Sequence, residues 1–296
     1  MTAVPADATG ATGATGATDR GVGEVLAACR REGRAALVGY LSVGYPDVAT
    51  SIRAMETMCA AGVDVVEVGM PYSDPLMDGP VIQRAAAEAL ANGVGVDHVF
   101  AATEAVRAAG VPPLVMSYWN LVLRRGVPTY AADLAAAGGA GLITPDLVPD
   151  EAQEWIAASD EHGLDRVFLV APSSTPERIS RVTEATRGFV YAASTMGVTG
   201  ARATVGGTAE DLVRRTREHT STPVCVGLGV STGEQAAQIA SFADGVIVGS
   251  ALVSCLMDVE VEQGLERLDA LTRELAAGVR AGVRAGVSAS GAEADR

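Results

Sequence analysis

Eight short, β-branched apolar runs recur along the chain with Ala-rich stretches between them, and this alternation leaves few folds open. The runs are AALVGYLSVG (35–44), VDVVEVG (63–69), PPLVMSY (112–118), AGLIT (140–144), DRVFLVA (165–171), GFVYAAS (188–194), TPVCVGLG (222–229) and DGVIVGS (244–250). A strand with one wet face alternates polar and apolar residues. Near-continuous apolar runs mark strands buried on both faces, as in parallel sheets covered by helices. Helical stretches are predicted over 48–61, 81–91, 99–109, 150–162, 177–186, 209–219 and 233–242, with Thr175 and Ser231 as candidate caps. Eight strand–helix units predict an α/β fold, a single-domain (β/α)8 TIM barrel. The competing architecture is an open doubly wound sheet. Its dinucleotide fingerprint, GxGxxG, is missing after the first run, where VGYPD stands instead.

The ends of the chain have a different character. Residues 1–20 carry ATGATGATGAT, a small polar repeat that cannot bury a core, and 285–296 read as a frayed tail. Residues 21–284 are expected to form the barrel.

Composition excludes several classes of function. The formal net charge of −14 repels phosphate backbones and anionic lipid, so neither nucleic acid nor a membrane is an expected partner. All 22 basic residues are Arg. Without Lys, no Schiff base forms, which removes Lys-dependent aldolase chemistry and covalent pyridoxal phosphate. Cys29, Cys59, Cys225 and Cys255 lie far apart without metal-ligand spacing. They fit small buried residues in a reducing compartment. No signal-peptide pattern and no apolar stretch of about 18–20 residues is present, so a cytoplasmic location is expected. His98, His162 and His219 fall in or beside predicted helices, away from the strand ends where a metal-dependent aldolase would need them.

In a barrel, chemistry sits at the C-terminal strand ends. The second run and its loop read VVEVGMPYSDPLMDGP (65–80). Glu67 shares parity with Val63 and Val65, which puts it on the interior face. A carboxylate there is a buried ion pair, a hydrogen-bonded core group or an acid–base catalyst. The following loop, punctuated by Pro71, Pro75 and Pro80, carries Ser73, Asp74 and Asp78. Asp78 precedes Gly79-Pro80 and reads either as a helix cap or as a substrate contact. The last three runs end in MGVTG (196–200), GLGVST (227–232) and VGSAL (248–252). Gly200, Gly229, Gly249 and Ser250 offer unobstructed backbone N–H groups, the makings of a phosphate cradle. Together these features point to proton transfer on a phosphorylated substrate whose own ring absorbs electrons.

These same residues carry a family likeness. EVGMPYSDPLMDGP (67–80), PDLVPDEA (145–152), STMGVTG (194–200), VGLGVST (226–232) and VGSALV (248–253) closely resemble the tryptophan synthase α subunits, in order and spacing over roughly 22–275. The resemblance implies cleavage of indole-3-glycerol phosphate to indole and glyceraldehyde 3-phosphate, with Glu67 and Asp78 as the acid–base residues. It implies Tyr191 near Glu67 and the glycerol chain, and Tyr40, Met116 and Tyr118 at the indole pocket. Phosphate contacts fall on Gly200, Gly229, Gly249 and Ser250, and Thr199 touches the catalytic Asp when its loop closes. Loops 71–80 and 194–206 would then be lids. The family implies no cofactor on this chain and a pyridoxal-phosphate β subunit as partner in an α2β2 heterotetramer. Segments 73–75 and 146–149 are the candidate contact face. The rival readings are a stand-alone indole-releasing lyase, a non-catalytic activator of β, and a flavin- or sugar-phosphate-binding barrel. Retention of both carboxylates argues against the activator.

Overall fold

The computed structural model describes residues 21–193, 205–227 and 229–282. The expected tails at 1–20 and 285–296, together with Thr199, Gly200 and most of the second expected lid, lie outside the described residues.

All strands run parallel. They are β1 Ala36–Ser42, β2 Val65–Gly69, β3 Pro113–Met116, β4 Gly141–Ile143, β5 Asp165–Val167, β6 Leu169–Val170, β7 Val190–Ala193, β8 Val224–Gly227 and β9 Gly245–Val248. Their order is β5-β4-β3-β2-β1-β9-β8-β7-β6. The eight-strand expectation therefore needs one correction: the fifth run is two short strands separated at Phe168. The first half pairs with β4 and the second with β7, so the ring is completed along one segment of chain. Phe168 is itself buried, and its carbonyl accepts from Tyr191 N at 3.1 Å.

The helices are α1 Val22–Arg31, α2 Val48–Ala61, α3 Pro80–Ala91, α4 Val96–Ala108, α5 Trp119–Arg125, α6 Val127–Ala136, α7 Gln153–Glu161, α8 Pro176–Ala185, α9 Val205–Arg217, α10 Gly233–Ala240, α11 Ser250–Ser254 and α12 Val261–Ala281. Each predicted helical stretch is helical, the fourth being divided into a 3-10 turn at Pro149–Glu151 and α7. Thr175 caps α8, its Oγ1 accepting from Arg178 N at 3.3 Å. Ser231 is not a cap. Because α10 starts one residue later, Thr232 takes that role and accepts from Gln235 N, while Ser231 N donates to the Gln235 side chain. Helices α1, α5, α6, α11 and α12 were not foreseen.

Two apolar layers result. The outer one lies between strands and helices and includes Met55, Met58, Val99, Leu134, Trp155, Leu212, Leu268 and Leu275. The inner one fills the barrel with Ala36, Val38, Val65, Leu114, Ile143, Val167, Phe189, Cys225 and Ile247. Val22, Leu26 and Cys29 of α1 join this inner layer and plug the floor. Their i, i+4, i+7 spacing is the apolar stripe of a helix lying on a core. Among the described residues no helix is long and apolar enough to cross a membrane.

Candidate active site

Strand alternation delivers Glu67 to the interior, on the same face as Val65. Val63 does not share that face: it precedes β2 and packs in the outer layer. The Glu67 side chain is 1% exposed, and its Oε2 has no hydrogen-bond partner among the described residues. The buried ion pair left open by the sequence is not seen there. Burial, and then the negative charge of Asp78, push the Glu67 carboxyl up to about 8.

Asp78 ends the loop that leaves β2. The helix-cap reading fails, because Gly79 is the N-cap of α3 and Pro80 its first residue. The Asp78 carboxylate instead accepts a long hydrogen bond from the Tyr118 hydroxyl, 3.4 Å at Oδ2. Gln83 Nε2 donates to the Asp78 carbonyl at 2.8 Å and fixes the backbone. Tyr118 is pinned in turn: its oxygen accepts from Met77 N at 3.0 Å, and its ring stacks on Tyr72 at 4.6 Å. Burial raises Asp78 to about 6, partly opposed by the Tyr118 hydrogen bond.

Two tyrosines complete this layer by the same device. Tyr40 on β1 lies across from Glu67, and the next inward position on β2 is Gly69. A Cβ on Gly69 would collide with the Tyr40 hydroxyl. Tyr191 on β7 lies across from Cys225, and the next inward position on β8 is Gly227. A Cβ there would stand 2.5 Å from the Tyr191 hydroxyl. Each phenol thus leans diagonally into volume that the glycine leaves empty. Burial pushes both phenols up, Tyr40 further through Asp78 and Glu67, Tyr191 through Glu67 and then Asp78. The two carboxylates and the two tyrosines therefore share one electrostatic environment.

Met116 ends β3, half-buried between the two apolar layers, its carbonyl accepting from Met70 N at 2.9 Å. Gly229 follows β8 with φ +60°. Gly249 caps α11, whose first residue is Ser250. A Cβ on Gly249 would meet the Tyr40 ring at 3.4 Å, so this strand end borders the same pocket. Among the expected phosphate contacts, Gly229, Gly249 and Ser250 thus follow the neighbouring strands β8 and β9.

Several contributors were missed by sequence reasoning. Ser42 holds the Tyr40 hydroxyl at 3.0 Å, and its inward parity with Tyr40 was a usable signal. Tyr72, Gln83 and the two accommodating glycines show themselves only once strand register and loop path are known. The histidines lie elsewhere: His98 Nδ1 accepts from Gly95 N at the start of α4, His162 ends α7, and His219 lies just past α9. No cluster of three or more His, Cys, Asp or Glu suited to a metal occurs among the described residues.

Comparison with known proteins gives one answer. The family model described as tryptophan synthase alpha chain matches residues 26–280. A tryptophan synthase alpha chain from Mycobacterium marinum is 62% identical over 259 residues, covering 88% of this chain and 94% of its own length. One from Mycobacterium tuberculosis is 61% identical with the same coverage. A crystal structure of M. tuberculosis tryptophan synthase has a TM-score of 0.82 at 61% identity, covering 88% of this chain and 98% of that one. A mutant tryptophan synthase alpha-subunit from Pyrococcus furiosus has a TM-score of 0.74 at 33% identity, covering 82% and 98%.

Proposed function

The chain belongs to the tryptophan synthase alpha chain family, and on that premise we propose that Glu67 and Asp78 are the acid–base pair with which it cleaves indole-3-glycerol phosphate. It is a carbon–carbon lyase of tryptophan biosynthesis with a TIM-barrel fold. The observation that carries the residue assignment is the buried Glu67, whose Oε2 has no partner among the described residues, beside a second raised carboxyl.

Near pH 7 the two groups differ in state. Glu67, at about 8, keeps its proton and is an acid; Asp78, at about 6, is mostly ionised and is a base. Glu67 gives its proton to indole C3, forming a C3–H bond, while Asp78 takes the ring N–H proton. The ring is now an indolenine that accepts electrons. The Glu67 carboxylate then takes the proton from the glycerol hydroxyl next to C3, which restores the acid, forms the aldehyde carbonyl and breaks the carbon–carbon bond. That electron pair restores the aromatic ring, and Asp78 returns the proton to nitrogen. Substrate and products balance without water, oxidant or metal. Activity should follow a bell with its acid limb set by Asp78 and its basic limb by Glu67.

Tyr40, Met116 and Tyr118 line the indole, and Tyr191 lies by the glycerol chain. Backbone groups at Gly229, Gly249 and Ser250, with Gly200, hold the phosphate, and Thr199 touches Asp78 when its loop closes. The partner is a pyridoxal-phosphate β subunit in an α2β2 assembly, in keeping with a family whose α chains pair with β subunits. Leu76 and Met77 support this reading: they are 90% and 59% exposed on the loop at the barrel mouth, where apolar side chains call for a cover. Residues 21–284 form the catalytic unit, the tails are additions to it, and the enzyme works in the cytoplasm. The test is incubation with indole-3-glycerol phosphate, with and without β subunit, while indole is followed. No indole under either condition rejects the reading; full turnover without β favours the stand-alone lyase.

A further inference from the structure

The mouth also holds a pair of hydroxyls to which the mechanism above gives no task. Tyr40 and Ser42 stand two residues apart on the inward face of β1, both buried, with hydroxyls 3.0 Å apart. Register fixes their place. Tyr40 lies across from Glu67, and Ser42 across from Gly69. Gly69 and Glu67 share the inward face of β2, one pleat repeat apart. Since the Tyr40 hydroxyl fills the space a side chain at 69 would take, it occupies the layer directly above Glu67.

Other groups around Glu67 supply few donors. In register on β3 is Leu114, followed by Met116, both apolar. Cys225 comes from β8, Tyr191 on β7 brings a second phenol, assigned above to the glycerol chain, and the loop brings Asp78, an acceptor when ionised. Tyr118 is engaged by Asp78 and Met77 N. Glu67 Oε2 has no partner among the described residues. Once Glu67 has given up its proton, its buried charge requires a donor.

We propose that the Tyr40–Ser42 hydroxyl pair is a positioning device for Glu67, donating a hydrogen bond to the carboxylate once the proton has moved to indole C3. The inference rests on the acid role given to Glu67. As the Glu67 O–H bond breaks and the C3–H bond forms, the Tyr40 O–H turns to the carboxylate and keeps its own proton. Ser42 O–H donates to the Tyr40 oxygen, so the two hydroxyls form one directed chain.

The test is the pH dependence of kcat and kcat/KM for the full chain acting on indole-3-glycerol phosphate, in Tyr40→Phe, Ser42→Ala, Ser42→Thr and Glu67→Gln. Tyr40→Phe should lower kcat about 10-fold, change KM by less than about twofold, and move the basic limb up by about one pH unit, because the carboxylate has lost its donor. Ser42→Ala should move that limb in the same direction by less. Ser42→Thr, which keeps a hydroxyl, should restore it. Thermal unfolding checks the fold, and Ser42→Ala carries the test if Tyr40→Phe does not fold. A basic limb that stays in place in Tyr40→Phe and Ser42→Ala, with only KM or Tm altered, reduces the pair to packing and overturns the proposal. If Glu67→Gln still releases indole, the acid assignment falls and the proposal falls with it. If Glu67→Gln is inactive while the limb stays in place, only the positioning role is lost.

Discussion

The two ends of the barrel treat buried carboxylates in opposite ways. On the floor, each of three aspartates at a strand start is given donors. Asp64 accepts both guanidinium nitrogens of Arg34, at 2.8 and 2.9 Å, and Leu37 N at 2.8 Å. Asp244 accepts Arg217 and Val224 N, both at 3.0 Å. Asp165 accepts Val22 N at 3.0 Å and thereby holds the start of the plug helix α1. At the mouth, Glu67 is buried more deeply than any of these three and has another carboxylate beside it. A satisfied carboxylate joins segments of chain at little net cost; an unsatisfied one keeps its proton and waits for a substrate. On the proposed assignment of Glu67, stability and chemistry are divided between floor and mouth, as the barrel architecture leads one to expect.

The sharpest way to break this contrast is Glu67→Gln. Indole formation should fall about 10²–10⁴-fold, the usual range for losing a general acid, while urea unfolding shows no loss of stability. Marked unfolding with activity retained per folded molecule would make Glu67 a structural group like the floor aspartates. The converse substitution is Asp244→Ala. It strands Arg217 and the Val224 amide and should cost about 3 kcal/mol of unfolding free energy, with kcat per folded molecule unchanged.

The pH dependence of stability separates the two ends again. Glu67 is raised in the folded state, so it binds its proton more tightly there than in the unfolded chain. Its contribution is fully present below about pH 4.5 and is lost as pH rises to about 8. Denaturation of Glu67→Gln beside the parent should show the variant gaining up to about 1.4 kcal/mol per pH unit across that window. A flat difference would mean that Glu67 is ordinary. The smallest effect expected is that of Tyr118→Phe. Losing a 3.4 Å hydrogen bond to Asp78 should shift the acid limb upward by a fraction of a pH unit and lower kcat by about threefold or less. A larger loss would make Tyr118 as important as the carboxylates.

Much of this was legible beforehand because the relevant periods are short. Alternation along 65–69 was enough to turn Glu67 inward, and eight apolar runs were enough for the barrel. What depends on distance along the chain was not legible. The plug helix α1 comes directly after the repeat at 1–20 in the sequence, and its apolar stripe is only three residues long. The break at Phe168 follows from which neighbours the fifth run must bond, not from its own residues. Asp78 looked like a cap because the residue before a helix often is one; Gly79 took the position instead. Ser42 and Tyr72 matter through partners that register and loop path bring to them. The roles of Glu67 and Asp78 came from the family resemblance, and the geometry is consistent with them.

The tyrosine–glycine diagonals have a consequence for how such a barrel can diverge. Positions 40 and 69, and likewise 191 and 227, share one volume across two strands. A side chain gained at one site of a pair must be matched by atoms given up at the other. Each pair should therefore drift as a single heritable unit, and reshaping the pocket for a bulkier ring calls for two coordinated codon changes rather than one.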